Sequence, residues 1–340
     1  MSSPLSFSRK SGTEKYHRSC VHHGAEMDNI KIGEGEFSPL LDREKTLADV
    51  KRAFSSQLEM LHDVTNYGTN LIPRCYESSD KALKDIVVIP ILLRQVVAML
   101  DGVEVLLSNG AVYAAALQAR ALFEASVYID WILAADSERK ATCYYVHNLR
   151  RQRRWARRFQ RGSPEATAFA TLVPDMPALR NQTAMDQAAK TLADINRVLS
   201  QNTFAEVSQA FDKCAFKNGK GDRAWYVPLG MRSVSGIASA VGRSAEYAIF
   251  YSTWSENIHA SNYGQHVRVG EGIIAFEPIR HLSGFGSLFT CTAASVLRTY
   301  REVLKCYREA ELPAHSRKYL ENWQKGLMDV PRINYSDGTP

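Results

Sequence analysis

Hydrophobic residues recur every three to four positions along most of the chain, the spacing that places them on one face of an α-helix. The first such stretch predicts a helix over 42–66, which Asn66, Tyr67 and Gly68 would end. A second helix is expected over 81–107, where apolar residues on nearly all sides predict burial. A third is expected over 111–134, where many alanines allow close approach to neighbouring helices.

The same spacing continues through the second half of the chain. A fourth helix is predicted from Ser137 through an arginine-rich run, until Gly162-Ser163-Pro164 interrupts it. Further helices are expected over 183–199, 203–213, 243–262, 279–309 (stopped by Pro313) and 315–327, with a loop over 214–230. Two β-like runs around Gly270-Glu271-Gly272 predict a small hairpin. We therefore predict an all-α fold: a bundle of long antiparallel helices with a small β-hairpin near 265–277.

The pattern also predicts the domain organisation. Residues 1–40 are polar, rich in Ser, Gly and His, and show no sustained period, so we expect a disordered tail. Residues 41–330 are expected to form a single helical domain, with a subdivision near 162–230 left open, followed by a C-terminal tail over 331–340. The second and third helices should form a tight hairpin on which the helix over 243–262 packs.

Composition narrows the class of protein. A chain of 340 residues with 45% hydrophobic residues can bury a substantial core. Its six cysteines include no C-x-x-C pair, which argues against a cysteine-rich zinc site and favours reduced thiols in a cytoplasmic protein. The longest apolar run, Ile86–Leu93, is far shorter than the roughly 20 residues of a membrane span. We therefore expect no membrane contact. We also expect no cofactor, since nucleotide-binding glycine motifs are missing from the sequence.

Seven arginines fall within the stretch LRRQRRWARRFQR. They are Arg150, Arg151, Arg153, Arg154, Arg157, Arg158 and Arg161. The formal net charge of the chain is +6, so without these arginines it would be −1. Positive charge this concentrated requires an anionic partner or an internal acidic counterface. Because the run contains no acidic residue and is interleaved with Trp155 and Phe159, we expect these seven arginines to bind nucleic acid.

Polar residues on the third helix form a second candidate. Arg120 and Glu124 are spaced i,i+4 and therefore share a face, which Tyr128 extends by one turn. Charges on such an apolar helix are costly unless they are paired. Two interpretations stay open: an internal ion pair that joins helices, or part of a functional site.

The stretch YSTWSENIHAS forms a third candidate. Tyr251, Ser255 and His259 are four residues apart and share one helical face. Ser255 could orient His259, which could act as a general acid or base, or His259 could be a satisfied core residue. A Ser-His nucleophile is less convincing because two residues on one helix lack the geometry of a catalytic triad.

A metal site is the remaining chemical alternative. Glu256 and His259 form an E-x-x-H pair, as do Glu59 and His62. Dimetal bundles combine two such pairs with two single glutamates, for which Glu104 and Glu124 are available. The order differs from such bundles, however, because both single glutamates lie between the pairs. We therefore predict no metal site and keep the dimetal enzyme as the second alternative.

Two longer motifs carry a resemblance. The sequence S-N-G-A-x-x-A-A-A-L-x-A-R-A-L-F-E-A at 108–125 and Y-S-x-x-S-E-N-I-H-A-S at 251–261 resemble a family of uncharacterised bacterial helical proteins. That family carries R-x-x-x-E, matched by Arg120 and Glu124, and downstream S-x-x-x-H, matched by Ser255 and His259. The resemblance covers about residues 45–305 and implies an all-helical fold without an established activity.

More distantly, the chain is similar to the HEPN class of helical domains in toxin–antitoxin and antiviral systems. Many of those are metal-independent ribonucleases with R-x(4–6)-H on one helix. Here the nearest arginine upstream of His259 is Arg243, so an equivalent site would pair Arg120 with His259 across two helices. The resemblance implies RNA processing in a defence context.

These observations favour a helical protein that binds or processes RNA. In a catalytic version, His259 would be the acid or base, Arg120 would stabilise a phosphate oxyanion, and Glu124 would orient one of them with Ser255 beside it. The first alternative is a non-catalytic protein-interaction module in which these residues only lock the core. Whether the protein is an enzyme, and whether it forms a homo-oligomer, stays open.

Overall fold

The computed structural model describes residues 40–173, 175, 177, 181–216, 221–254, 266–270 and 273–333, and this part of the chain is all-α, as predicted. The helices are α1 (Arg43–Glu77), α2 (Ile89–Ser108), α3 (Val112–Ala134), α4 (Ser137–Arg157), α5 (Pro164–Leu172), α6 (Gln182–Leu199), α7 (Asn202–Cys214), α8 (Val234–Ala240), α9 (Ser244–Glu246), α10 (Phe285–Tyr307), α11 (Leu312–Lys318) and α12 (Gln324–Met328). Single π-helical turns (Lys84–Val88, Tyr247–Tyr251, Tyr319–Trp323) lead into α2, extend α9 and join α11 to α12. Strands β1 (Val267–Gly270) and β2 (Ile273–Phe276) pair antiparallel, with Val267 opposite Phe276.

Helix α1 is longer than the sequence predicts. Asp42 caps its start, with a side-chain oxygen that accepts a hydrogen bond from the Lys45 amide at 2.9 Å. The prediction that Asn66–Gly68 ends the helix is wrong, because the helix continues to Glu77. Gly68 is needed for packing instead: a Cβ atom there would overlap the Tyr300 hydroxyl and lie 2.7 Å from a Val97 methyl group. The glycine thus permits a close helix contact and does not act as a cap.

Helices α2 and α3 form the predicted hairpin, turning at Gly110, whose φ of 67° favours glycine. The segment Lys84–Ser108 is long and apolar enough to cross a membrane by length and composition, with a mean hydropathy of 2.0. The expectation that this helix is buried on all sides is wrong for Ile91 and Val105, which are exposed. Its opposite face packs into the core through Leu93, Val96 and Leu100.

Helix α10 completes the main core against α1 and α3. Phe285, its first residue, stacks on Phe54 of α1 with ring centroids 3.8 Å apart. The helix begins six residues later than predicted, because Gly284 has a φ of 75° and interrupts the backbone. It ends at Tyr307, and Pro313 lies in the first turn of α11, where proline is tolerated.

A smaller apolar layer lies against the second half of α4. Val146 and Leu149 of α4 pack with Ile195 of α6 and Phe211 of α7, and Ala156 packs with Leu192. Helices α6 and α7 thereby cover one side of α4. This packing determines which arginines of the run face inward and which face solvent.

Candidate functional site

Arg120 and Glu124 of α3 lie together, and a third residue joins them. The i,i+4 spacing places Arg120 Nη2 3.8 Å from Glu124 Oε1. The hydroxyl of Tyr251, from the π-helical turn after α9, donates a hydrogen bond to Glu124 Oε1 and accepts one from Arg120 Nη2 at 3.0 Å. The Arg120 guanidinium also lies over the Tyr251 ring, 4.7 Å from its centroid. The structure thus adds Tyr251 to the predicted pair.

Aromatic side chains surround this Arg120–Glu124–Tyr251 cluster. Tyr247 stacks on Tyr251 with centroids 4.8 Å apart, and Phe123 lies 5.6 Å from the same ring. Burial and the hydrogen bond to Glu124 raise the pKa of Tyr251. Burial, then the Glu124 charge, likewise raises the pKa of Tyr128 and of Tyr226. These phenols therefore stay protonated at neutral pH and act as hydrogen-bond donors, not as bases.

Arg120 keeps donor capacity that the cluster does not use. Its Nε is buried and has no hydrogen-bond partner within the described ranges. A guanidinium has five N–H donors, and only Nη2 is engaged by Tyr251. The arrangement can therefore accept a further oxygen ligand, while Glu124 and Tyr251 fix the orientation of Arg120.

Two predicted site residues, Ser255 and His259, lie outside the described residues, as does Glu256 of the metal alternative. The described part of this segment ends at Trp254, three residues after Tyr251. Sequence reasoning placed Tyr251 on the same helical face as Ser255 and His259 but gave it no role. The shared spacing was the signal that could have identified it.

A buried polar network, which the sequence did not predict, positions Tyr251. Arg243 has a fully buried side chain and donates to Asp130 at 3.0 Å and to Glu246 at 2.6 Å. It also donates to Ser126 at 2.6 Å and to Ser295 of α10. The network ties the start of α9 to α3 and α10, and Tyr251 follows Arg243 by eight residues. Arg243 thus serves to anchor the helix that carries Tyr251.

The seven arginines of the run are placed very differently from one another. Arg150 is only 8% exposed. Its Nε donates to Asp222 Oδ2 at 2.9 Å, and its Nη2 donates to Asp222 Oδ1 at 2.8 Å and to Asp212 at 2.7 Å. Its Nη1 donates to the Ser208 hydroxyl at 2.7 Å. Arg150 therefore joins α4 to α7 and to the segment after it, and its donors point inward.

Two further arginines have acidic partners at the edge of this buried pair. Arg154 reaches Asp222 at 3.4 Å, and Arg157 reaches Glu165 of α5 at 3.2 Å. Both are partly exposed. The other four have no carboxylate within ion-pair distance in the described part of the chain, and we call them the arginine surface: Arg151, Arg153, Arg158 and Arg161.

An exposed indole lies within the arginine surface. Trp155 is 54% exposed, and the Arg158 guanidinium lies 4.5 Å from its ring centroid. Phe159 and Phe169 have ring centroids 6.3 Å and 6.0 Å from Trp155. This edge of the molecule therefore offers both positive charge and aromatic rings.

One short segment connects Arg150 and Arg154 of the run to the surroundings of the Arg120 cluster. Asp222 binds Arg150 and Arg154. The ring of Tyr226, four residues later, lies 6.1 Å from that of Tyr128. After burial, the charge of Glu124 is the next cause of the raised pKa of Tyr226. Four residues span at most about 14 Å even when fully extended. Residues 222–226 thus link these two paired arginines of α4 to the aromatic side chains beside Glu124.

The described residues hold only part of the metal alternative, because Glu256 and His259 lie outside them. Within the described ranges, no group of three or more His, Cys, Asp or Glu side chains could hold a metal ion. His62 and Glu104 do meet, with Nδ1 and Oε1 3.3 Å apart. Glu124, however, is bound by Tyr251 and Arg120.

A comparison with protein families identifies the group to which the chain belongs. The model described as "Family of unknown function (DUF5677)" matches residues 85–272, more than half of the chain, so the chain belongs to this family. The match spans α2, the Arg120 cluster, the arginine surface and the segment with Ser255 and His259. No curated protein and no solved structure matches the chain.

Proposed function

We propose that this DUF5677 protein binds nucleic acid, and RNA in particular, through the arginine surface. The observation that carries the proposal is the lack of acidic partners, within the described ranges, for Arg151, Arg153, Arg158 and Arg161. Arg151 and Arg161 are exposed, Arg153 and Arg158 are partly exposed, and unpaired guanidinium groups are suited to bind phosphate oxygens. They also attract a polyanion over a distance of about one Debye length, roughly 10 Å.

An internal acidic counterface explains only part of the run. Asp212, Asp222 and Glu165 satisfy Arg150, Arg154 and Arg157. Three carboxylates against seven arginines leave four arginines of the run without a carboxylate partner among the described residues. Burial, followed by the like charges of Arg150 and Arg157, lowers the pKa of Arg153. Binding of an anion would relieve this repulsion.

We propose RNA processing at the Arg120 cluster as a second, separable function. The unused Nε of Arg120 and the segment from Asp222 to Tyr226, which links paired arginines of the run to the ring of Tyr128, favour it. Arg120 would stabilise a phosphate oxyanion, Glu124 and Tyr251 would hold Arg120 in place, and His259 would act as acid or base with Ser255 beside it. The toxin or antiviral defence context implied by the resemblance belongs to this second proposal.

The non-catalytic alternative rests on the same contacts. Tyr251 ties α3 to the helix after Arg243, so Arg120 and Glu124 could serve packing alone. The two functions are distinguished by Arg120→Ala and His259→Ala. Loss of RNA cleavage in protein that stays folded supports processing, whereas a large fall in Tm without any turnover in the wild type supports a structural role.

Binding is tested by titrating a labelled single-stranded RNA with the protein over a series of salt concentrations. Each neutralised phosphate of a single strand contributes about −0.7 to the slope of log Kobs against log salt. Four arginines therefore predict a slope of about −3. The same samples on a denaturing gel show whether the RNA is shortened. Failure to bind at low salt would overturn the proposal and leave an acidic protein partner as the alternative.

A further inference from the structure

We infer that the arginine surface is specific for single-stranded nucleic acid and that Trp155 stacks against an unpaired base. This inference rests on the proposed function and makes it narrower, because charge alone would bind single strands and duplexes alike. Stacking, by contrast, requires a base face that is not already covered by its neighbours in a helix. Trp155 would therefore decide which form of nucleic acid binds.

Trp155 is unlike the other tryptophans of the chain. All five tryptophans lie within the described ranges, and the other four are at most 9% exposed. Exposure of 54% leaves a large part of the Trp155 indole in water, although apolar side chains of the core could have covered it. An exposed indole between arginines is a typical residue of a binding surface.

The neighbours of Trp155 hold it in place for stacking. Phe159, four residues later in the chain, and Phe169 of α5 contact the indole with ring centroids 6.3 Å and 6.0 Å away. The Arg158 guanidinium lies over two of these rings, 4.5 Å from the Trp155 centroid and 4.9 Å from that of Phe169, so a base would stack on the opposite face of the indole. The positive charge is thus fixed next to the ring, where it can bind the phosphate of a stacked nucleotide.

Arg151 flanks the indole on the other side. It is exposed and precedes Trp155 by four residues, so the two side chains share one face of α4. From Arg151 to Arg158 the helix rises about 10 Å. Trp155 therefore lies between two cations, in an order that suits a strand whose phosphates follow the arginines while a base turns inward to the ring.

Three probes separate stacking from charge. The first is a single-stranded RNA of about 10 nucleotides, within the range of single-strand binding sites. The second is a blunt RNA duplex with the same number of phosphates in each strand, and the third is a single strand of the same length without bases. We expect the full-length protein to bind the first probe most tightly, since it alone offers both phosphates and free base faces.

Substitution of Trp155 provides the direct test. Trp155→Ala is expected to weaken binding of the single strand about 5- to 150-fold, the loss typical of one stacked base, and to leave duplex and abasic binding unchanged. Trp155→Phe retains an aromatic face and should restore most of the affinity. The matched control is Tyr76→Ala on α1, because Tyr76 is also an exposed ring, with Lys81 Nζ 3.8 Å from its centroid. It should bind all three probes like the wild type.

Tryptophan fluorescence reports the same contact without a label. The single strand should quench the emission of the wild type, and Trp155→Phe should abolish the quenching while binding persists, because the remaining indoles are buried.

The outcomes distinguish base stacking by Trp155 from nucleic-acid binding by the arginine surface. Equal affinity for all three probes, or an unchanged affinity of Trp155→Ala for the single strand, would overturn the stacking inference and leave nucleic-acid binding intact. Binding of none of the probes would overturn both the stacking inference and the proposed nucleic-acid binding.

Discussion

Arg150 and Asp222 form a bidentate ion pair, in which Nε of the arginine lies 2.9 Å from Oδ2 and Nη2 lies 2.8 Å from Oδ1 of the carboxylate. Both side chains are buried. The pair fixes the segment that leads from α4 towards Tyr226. It also distinguishes Arg150 from other arginines of the run, because Arg150 is paired inside the fold whereas Arg151, Arg153, Arg158 and Arg161 have no carboxylate partner among the described residues.

Removal of Asp222 should destabilise the protein strongly. Asp222→Ala leaves a buried guanidinium with only Asp212 as an acidic partner, which should lower the free energy of unfolding by about 3–5 kcal/mol. Urea unfolding measures the change. The control is Asp194→Ala, whose pair with Arg197 is exposed on α6, and it should cost at most about 1 kcal/mol. Equal effects of the two variants would contradict the role assigned to Asp222.

Removal of a tyrosine hydroxyl should destabilise the protein at Tyr251 but not at Tyr300. Tyr251→Phe removes hydrogen bonds to Arg120 and Glu124 and should destabilise the fold by about 1.5–3 kcal/mol. Tyr300→Phe removes a buried hydroxyl that has no partner within the described ranges, so it should be neutral or stabilising. Thermal unfolding of both variants tests the difference. A larger loss for Tyr300→Phe would refute the assignment of these contacts.

Substitution by alanine should change the stability of the protein in opposite directions at two helix glycines, Gly102 and Gly68. Helix propensity alone favours alanine over glycine by about 1 kcal/mol. Gly102→Ala on α2 should follow propensity, because the nearest atom to its Cβ would be 3.6 Å away. Gly68→Ala should instead destabilise the protein by about 1–3 kcal/mol, since its Cβ would overlap Tyr300. A more stable Gly68→Ala variant would mean that α1 and α10 are not in close contact there.

His315 should make stability depend on pH. Its ring packs between Tyr67 and Trp323, and burial, then the charge of Arg301, lowers its pKa from 6.5. Below pH 6.5 the unfolded chain binds a proton that the folded chain does not, so stability falls as pH falls, until the lowered pKa is reached. The slope is at most about 1.4 kcal/mol per pH unit for this group.

Urea unfolding between pH 7.5 and pH 5.5 measures that slope. His315→Leu should reduce it, while His147, whose pKa burial also lowers, keeps a remainder. An unchanged slope in His315→Leu would exclude this histidine as a source of the acid sensitivity.

The fold could be predicted from sequence where the information is local. The dense apolar pattern over 111–134 and the break at Ser163–Pro164 both agree with the structure. The predicted helix end at Gly68 was wrong because the glycine is required by its close contact with Tyr300, which lies more than 230 residues away in the chain. The late start of α10 depends on the backbone of Gly284, which periodicity does not report.

The candidate site was predictable to a similar degree. Helical spacing alone brings Arg120 and Glu124 together, and it also placed Tyr251 on the face of interest. It could not show that Arg150 faces inward, because Asp222 is 72 residues distant in the chain. Nor could it show that Arg243 anchors the helix of Tyr251, since its partner Asp130 belongs to α3. Long-range pairing, unlike periodicity, leaves no regular mark in a single sequence.

The central claim is that four unpaired arginines bind nucleic-acid phosphates. Its most direct test compares the salt dependence of RNA binding for the wild type, a variant in which Arg151, Arg153, Arg158 and Arg161 are changed to Gln, and a control. The control changes four other exposed cations to Gln: Lys45, Lys51, Arg317 and Lys325. It lowers the net charge by the same amount.

We predict a slope of about −3 for the wild type and for the control, and a slope near zero with weak binding for the arginine variant. Identical slopes for all three proteins would contradict the account.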